Sequence, residues 1–442
     1  MSNELISIIV LVLIFVVGTT LSINMGVLGI VAAFGLGTAL GVSEDDIFLG
    51  FPGDLFVILV GVTYLFAIAS ANGTVDWLVQ AAVRAVGGRT AAIPWVMFLV
   101  TAILTASGAV VPGAVAIIAP IGLGFAITYG INPVLMGLMI INGATAGGFS
   151  PISVFGSIVN GVVERNALDE NAILLFVSSF VFNLLLSVVV FFLFGGRDLL
   201  SRRLPVDEDD EARGRRFERP SPVPEGRAPM RGGQTAAMPA EMPHLDRDKI
   251  LTLVGIVTLV AVALAFDVDV GFVALSIAAV LSLISPKTTK GAVNNVAWPT
   301  VLLICGIVMY VGLLETLGTI DWLGEQVASI GAPLLAALLI CYVGGVVSAF
   351  ASTTGILGAL IPLAVPFLLT GQVGAVGMIV ALAVSSSVVD SSPFSTSGAL
   401  TVASSPENVR DRVFRGLMIW GLSMIIVAPL LAWTIFVLPG WL

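Results

Sequence analysis

The chain has 442 residues, 57% of them hydrophobic and only 11% charged, with a mean hydropathy of +1.08. That composition belongs to an integral membrane protein built of many spans. The formal net charge of −9 leaves no basic footprint for nucleic acid, and the single histidine, His244, lies in a polar loop, so histidine-based catalysis and His-rich metal sites are removed from the membrane region.

In chain order, apolar runs predict spans over 4–22, 24–42 and 54–72. The first run lacks the basic flank of a cleaved signal peptide and is kept as a span. An amphipathic stretch over 75–89, carrying Trp77, Arg84 and Arg89, suits a helix at the membrane interface. Residues 91–122 form a helical hairpin. A span over 134–162 is interrupted by Gly143-Ala-Thr-Ala-Gly-Gly-Phe-Ser-Pro151, and another runs over 171–195. The order then recurs: spans over 250–266, 269–286 and 299–317, an interfacial stretch over 319–330, a hairpin over 331–369, a broken span over 373–399 and a last span over 415–438. Cys305 and Cys341 both fall in apolar runs and read as small hydrophobes.

Residues 197–249 are rich in Arg, Asp, Glu, Pro and Gly. Asp207-Glu-Asp-Asp-Glu211 is followed by Arg213, Arg215, Arg216 and Arg219. Composition makes this a disordered linker between an N-terminal unit, 1–196, and a C-terminal unit, 250–442.

The two units are copies. A shift of 242 carries Gly113 onto Gly355, Pro120 onto Pro362, Ser150-Pro151 onto Ser392-Pro393, Ser153 onto Ser395 and Gly156 onto Gly398. Gly73-Thr-Val-Asp-Trp-Leu78 matches Gly318-Thr-Ile-Asp-Trp-Leu323 at a shift of 245. Each copy holds five crossings and one re-entrant hairpin. The odd number inverts the second copy, the arrangement of secondary transporters. The expected fold is therefore all-α and polytopic, with two inverted repeats and one broken helix in each. The basic residues agree with this topology. With the linker cytoplasmic, the inner loops hold Arg84, Arg89, the linker arginines, Lys287, Lys290, Arg410, Arg412 and Arg415, against Arg165 alone outside. Both termini then lie outside.

The chemistry is expected where the apolar sequence is broken. Ser352, Thr353, Thr354 and Gly355 stand in a row in an apolar run, as the tip of the second hairpin. Opened backbone at membrane depth is tolerated only where protein buries it or it lines a cavity. Ser150-Pro151 and Ser392-Pro393 read as Ser N-caps with Pro at the first helical position, so that each broken span restarts as a half-helix. Pro112 starts the second arm of the first hairpin in the same way. Four helix N-termini would converge, able to receive an anion without Lys or Arg. The bland reading of these Gly and Pro residues is kinks and packing contacts. Asp390 is the clearest acid within a broken span, paired by the shift with Gly148. Three roles fit it: ligating a cation, binding and releasing a proton, or only favouring the positive start of the following half-helix.

The order of spans, the two hairpins, Ser352-Thr353-Thr354 and the Ser-Pro elements resemble the ion-transporter superfamily, which includes divalent anion–sodium symporters. The N-terminal half, through Gly143–Pro151, is most similar to the MatC-type dicarboxylate (malonate) carriers. The resemblance implies an ion-coupled secondary carrier of small dicarboxylates in a bacterial inner (plasma) membrane, a homodimer that moves its hairpins and broken spans like an elevator. It implies substrate at Thr353, Thr354, Ser392, Pro393, Ser150 and Pro151. It implies a cation, sodium at the hairpin tips, near Ser348, Ser352 and Ser391; no other cofactor is expected. One departure stands out: the shift sets Ser352-Thr353-Thr354 against Val110-Val111-Pro112, so the first tip lacks hydroxyls and Ser107 is the remaining substitute. The rival reading is the large membrane subunit of a binding-protein-dependent (tripartite) carboxylate transporter, which needs partner proteins. A channel lacks a continuous polar ring, and an enzyme lacks a cluster of catalytic groups.

Overall fold

The computed structural model describes residues 2–21, 23–85, 89–166, 168, 171–201, 245–266, 268–328, 331–350, 353–369 and 371–440. The first half runs α1 (Asn3–Thr20), α2 (Met25–Ala39), α3 (Glu44–Leu49), α4 (Gly53–Ala71), α5 (Thr74–Ala85), α6 (Ile93–Ala106), α7 (Val111–Thr128), α8 (Pro133–Gly147), α9 (Val154–Arg165), α10 (Ala172–Leu193) and α11 (Gly196–Ser201). The second runs α12 (Arg247–Phe266), α13 (Val270–Ile284), α14 (Trp298–Thr316), α15 (Thr319–Ala328), α16 (Pro333–Phe350), α17 (Thr353–Leu369), α18 (Ala375–Val388), α19 (Thr396–Ala403) and α20 (Glu407–Ala432). No strand occurs among the described residues, and seven helical segments there are long and apolar enough to cross a membrane. The protein is an all-α, polytopic integral membrane protein.

The expected elements are present, with shifted ends. Helix α3 was not expected; Ser43 caps it and its first turn is acidic. Helix α20 starts at Glu407, more than two turns before the expected span, because polar sequence continues the helix beyond its apolar part. Helix α11 covers the first residues of the expected linker, and α12 begins before that linker's expected end. The body of the linker, 202–244, lies outside the described residues, as does Ser352.

Equivalent helices pack crosswise. Helix α2 lies against α14, and α13 against α4. Glycines make both crossings close. A Cβ on Gly306 would sit 1.9 Å from the Gly26 carbonyl oxygen, and one on Gly61 would sit 2.5 Å from that of Gly271. The shift of 245 carries Gly26 onto Gly271 and Gly61 onto Gly306, so one crossing is the counterpart of the other. The helix ends agree. Ser7 and Thr319 share a hydrogen bond of 2.9 Å, while Asn72 donates to Thr252, the counterpart of Ser7, at 2.6 Å. Gly73 and Gly318, at φ +74° and +70°, end α4 and α14 and turn the chain into α5 and α15.

The two broken spans are central. Every residue of α8 from Pro133 to Gly147 is buried. The span over Ala375–Ala403 is the most enclosed of the seven, with 89% of its apolar window inside the protein. Around them, α9 packs on α17 and α19 on α7, each on a helix from the other half of the chain.

Candidate functional site

Each broken span is interrupted by a turn of the same construction. In the first, the Ser153 N–H donates to the Ser150 carbonyl at 2.9 Å, closing a turn over Ser150-Pro151-Ile152-Ser153. In the second, the Ser395 N–H donates to the Ser392 carbonyl at 3.1 Å. The proline holds the second position of each turn, which its fixed φ favours. The Ser153 hydroxyl donates to the carbonyls of Gly148 and Ser150; the Ser395 hydroxyl donates to those of Asp390 and Ser392, both at 2.6 Å. Gly156 and Gly398 let the new helix approach closely: a Cβ on either would lie within 2 Å of the Ser150 or Ser392 carbonyl oxygen.

This corrects the expected helix starts. Ser150 and Ser392 are not N-caps, and Pro151 and Pro393 are not first helical residues. Ser153 and Ser395 precede α9 and α19, three residues later. The Ser-Pro pair suits a turn as well as a helix start, and the serine three positions after the first closes the turn. Ser153 and Ser395 were the residues that sequence reasoning aligned but gave no role; their recurrence at the shift of 242 was the available signal. Pro112 does lie in the first turn of α7, as expected.

The repeats diverge at the side chains. Asp390 is 2% exposed. Its carboxylate accepts the Ser397 hydroxyl and, at 3.4 Å, the Ser397 N–H in the first turn of α19. The acid therefore caps α19 from across the turn. In the first repeat its place is taken by Gly148, and the space is filled: a Cβ there would meet Val111 at 2.8 Å and Phe155 at 3.2 Å. Phe155 stands where the shift puts Ser397, with its ring centre 5.4 Å from that of Phe149. The α9 start relies on Ser153, whose hydroxyl accepts from the Gly156 N–H at 3.2 Å.

The hairpins meet the turns of their own repeats. In the first, α6 closes on Gly108 (φ +115°), with Gly108 N–H donating to Thr105 and Ala109 N–H to Leu104. The Ser150 hydroxyl donates to the Ala106 carbonyl at 2.5 Å, tying turn to tip. In the second, Ser348 on α16 shares a 2.8 Å hydrogen bond with Thr353 on α17, and Thr354 is buried beside it. Phe350, at the end of α16, stacks on Phe394 in the turn, ring centres 5.9 Å apart. Ser348 and Thr353 are thus brought together, and Asp390, Ser391 and Ser392 lie in one buried segment beside Ser395 and Ser397.

Hydroxyl donors sort these serines. Ser150 donates to Ala106, Ser107 to Ile103 at 2.7 Å, and Ser391 to Val388 at 2.9 Å. In this state each offers a ligand only lone pairs, which suit a cation. The Ser392 oxygen instead accepts from the Phe394 N–H at 3.3 Å, leaving its own proton for an anion. Ser107 belongs to the first tip.

Residues 1–148 match the family model of the dicarboxylate carrier protein MatC N-terminus, a match that ends two residues before Ser150. Among curated proteins, none matches the chain. The chain is similar in fold to the YdaH transporter of Alcanivorax borkumensis, whose crystal structure is described as having an unusual topology. The TM-score is 0.56 at 13% identity, over 88% of this chain and 86% of that one. Both similarities are to transport proteins, in line with a transporter rather than an enzyme, and the N-terminal third carries the likeness to dicarboxylate carriers.

Proposed function

We propose that this protein is a secondary active carrier of small dicarboxylates of the malonate or C4 type, driven by an ion gradient. The observation that carries the reading is the pair of turns, Ser150–Ser153 and Ser392–Ser395, whose four serines are buried, which share their hydrogen bonds and each interrupt an enclosed span. Opened backbone within a membrane span is tolerated where protein buries it or it lines a cavity, and carriers build their substrate sites from such broken helices. The MatC match over residues 1–148 supports a dicarboxylate as the substrate class.

In this reading the repeats are inverted in the membrane and the two helix pairs, α6/α7 and α16/α17, are re-entrant. Thr353, Thr354, Ser392 and Pro393 receive one substrate carboxylate, and Ser150 and Pro151 border the other. Ser348, Ser352, Ser391 and Asp390 serve the coupling cation. Ser107, with its proton committed to the Ile103 carbonyl, also serves the cation. The hairpins and broken spans move against the crossed pairs α2/α14 and α4/α13, in a homodimer. Binding is tested by the melting temperature of the purified chain with malonate, succinate and longer dicarboxylates, each with and without sodium. A ligand that binds only the folded state raises its stability with the logarithm of ligand concentration over Kd. A rise with a dicarboxylate is expected, and a flat response to all of them rejects the substrate class.

A further inference from the structure

The outer face of α20 joins two arginines to an apolar stripe. Arg412 and Arg415 are exposed. Ile419, Leu422 and Ile426 follow at spacings of three or four residues, 70%, 46% and 64% exposed, so the five side chains share one face. Val413, Leu417, Gly421 and Met424 occupy the opposite, buried face. An exposed apolar face on a membrane span meets lipid, and the change from Arg415 to Ile419 marks the headgroup level. The end of α10 meets α20 at this level: the rings of Phe194 and Trp420 are 6.1 Å apart, in an edge-to-face contact. Three residues beyond Phe194, the Arg197 guanidinium lies 5.9 Å from the ring centre of Phe192, itself 48% exposed.

Arg412 and Arg415 make no ion pair among the described residues, although Glu407 and Asp411 share the same end of α20. Arg410 differs, because its Nε donates to the Ser405 carbonyl at 3.2 Å. Two unpaired guanidinium groups at the end of a lipid-facing stripe match an anionic headgroup in charge and in planar, two-pronged geometry.

We propose that Arg412 and Arg415 hold the phosphate of an acidic glycerophospholipid whose acyl chain lies along Ile419, Leu422 and Ile426. The same helix backs the second turn. A Cβ on Gly421 would sit 2.7 Å from the Ser392 Cα, and the Phe414 ring lies 6.0 Å from that of Phe394. A lipid held on the outer face thus steadies the helix that supports Ser392.

The test uses the full chain purified in detergent and mixed with phosphatidylglycerol or phosphatidylcholine, read by retained lipid in native mass spectrometry and by melting temperature. Retention of phosphatidylglycerol over phosphatidylcholine is expected. Arg412→Gln with Arg415→Gln should weaken that retention on the order of tenfold while the melting temperature in phosphatidylcholine stays unchanged. The Arg→Lys pair should keep part of it, and Lys287→Gln with Lys290→Gln should change nothing. Equal retention of the two lipids, or full retention by the Gln pair, overturns the site. So does an equal stabilisation by glycerol phosphate alone, or a loss of retention that accompanies loss of a dimer, which would assign the face to a second copy.

Discussion

Gly306 of α14 lies so close to Gly26 of α2 that a Cβ on Gly306 would sit 1.9 Å from the Gly26 carbonyl oxygen. The obstacle is backbone, which cannot turn aside as a side chain can. Gly306→Val should therefore force α2 and α14 apart and cost more than the roughly 1–3 kcal/mol of an ordinary overpacked site. Gly61→Val, at the counterpart crossing, should act in the same direction. Gly35→Ala on α2, where an added Cβ meets nothing within 4 Å, should be neutral. Yield of monodisperse protein and melting temperature are the readouts. Tolerance of Gly306→Val would show that the crossing is not a structural seam.

Thr354 is buried next to the Ser348–Thr353 hydrogen bond at the second tip. Thr354→Val keeps the shape and removes a donor and an acceptor. If Thr354 bonds a substrate carboxylate, the loss should be about 1.5–3 kcal/mol, or roughly tenfold to a hundredfold in affinity, with the melting temperature of the free protein little changed. Unchanged affinity would assign the tip a structural role.

Asp390 links the second turn to α19 through Ser397. Asp390→Asn retains an oxygen to accept the Ser397 hydroxyl, so α19 should stay anchored while the charge is lost. Substrate exchange should persist, and accumulation against a gradient should fail. A variant that still concentrates substrate would leave Asp390 as a cap only.

The order of elements was legible because apolar periods and turn residues recur in two copies, and Gly73–Leu78 against Gly318–Leu323 fixes their register. The broken spans were legible for the same reason. Their internal geometry was not. Ser-Pro satisfies the local preferences of a helix start and of a turn alike, and the choice rests on a hydrogen bond from Ser395 back to Ser392. The Asp390–Ser397 pair joins residues seven apart across a turn, a spacing that no single helix brings together. The closeness of Gly26 to Gly306 depends on helix pairing between the copies, which neither local sequence states.

The inverted arrangement has its own check in side-specific labelling. A cysteine at Ser221 in the linker should react with an impermeant thiol reagent only from the cytoplasm, and one at Ser43, the N-cap of α3, only from outside. The arginine and lysine bias of the loops motivates this. Labelling of both positions from the same side would remove the inversion.

Transport by the purified chain alone tests the central claim most directly. Reconstituted in liposomes without any partner protein and loaded with unlabelled malonate or succinate, it should take up the labelled dicarboxylate by saturable counterflow, and an inward sodium or proton gradient should drive accumulation in empty vesicles. No counterflow of any dicarboxylate, from protein that melts cooperatively in the same lipid, would contradict the account.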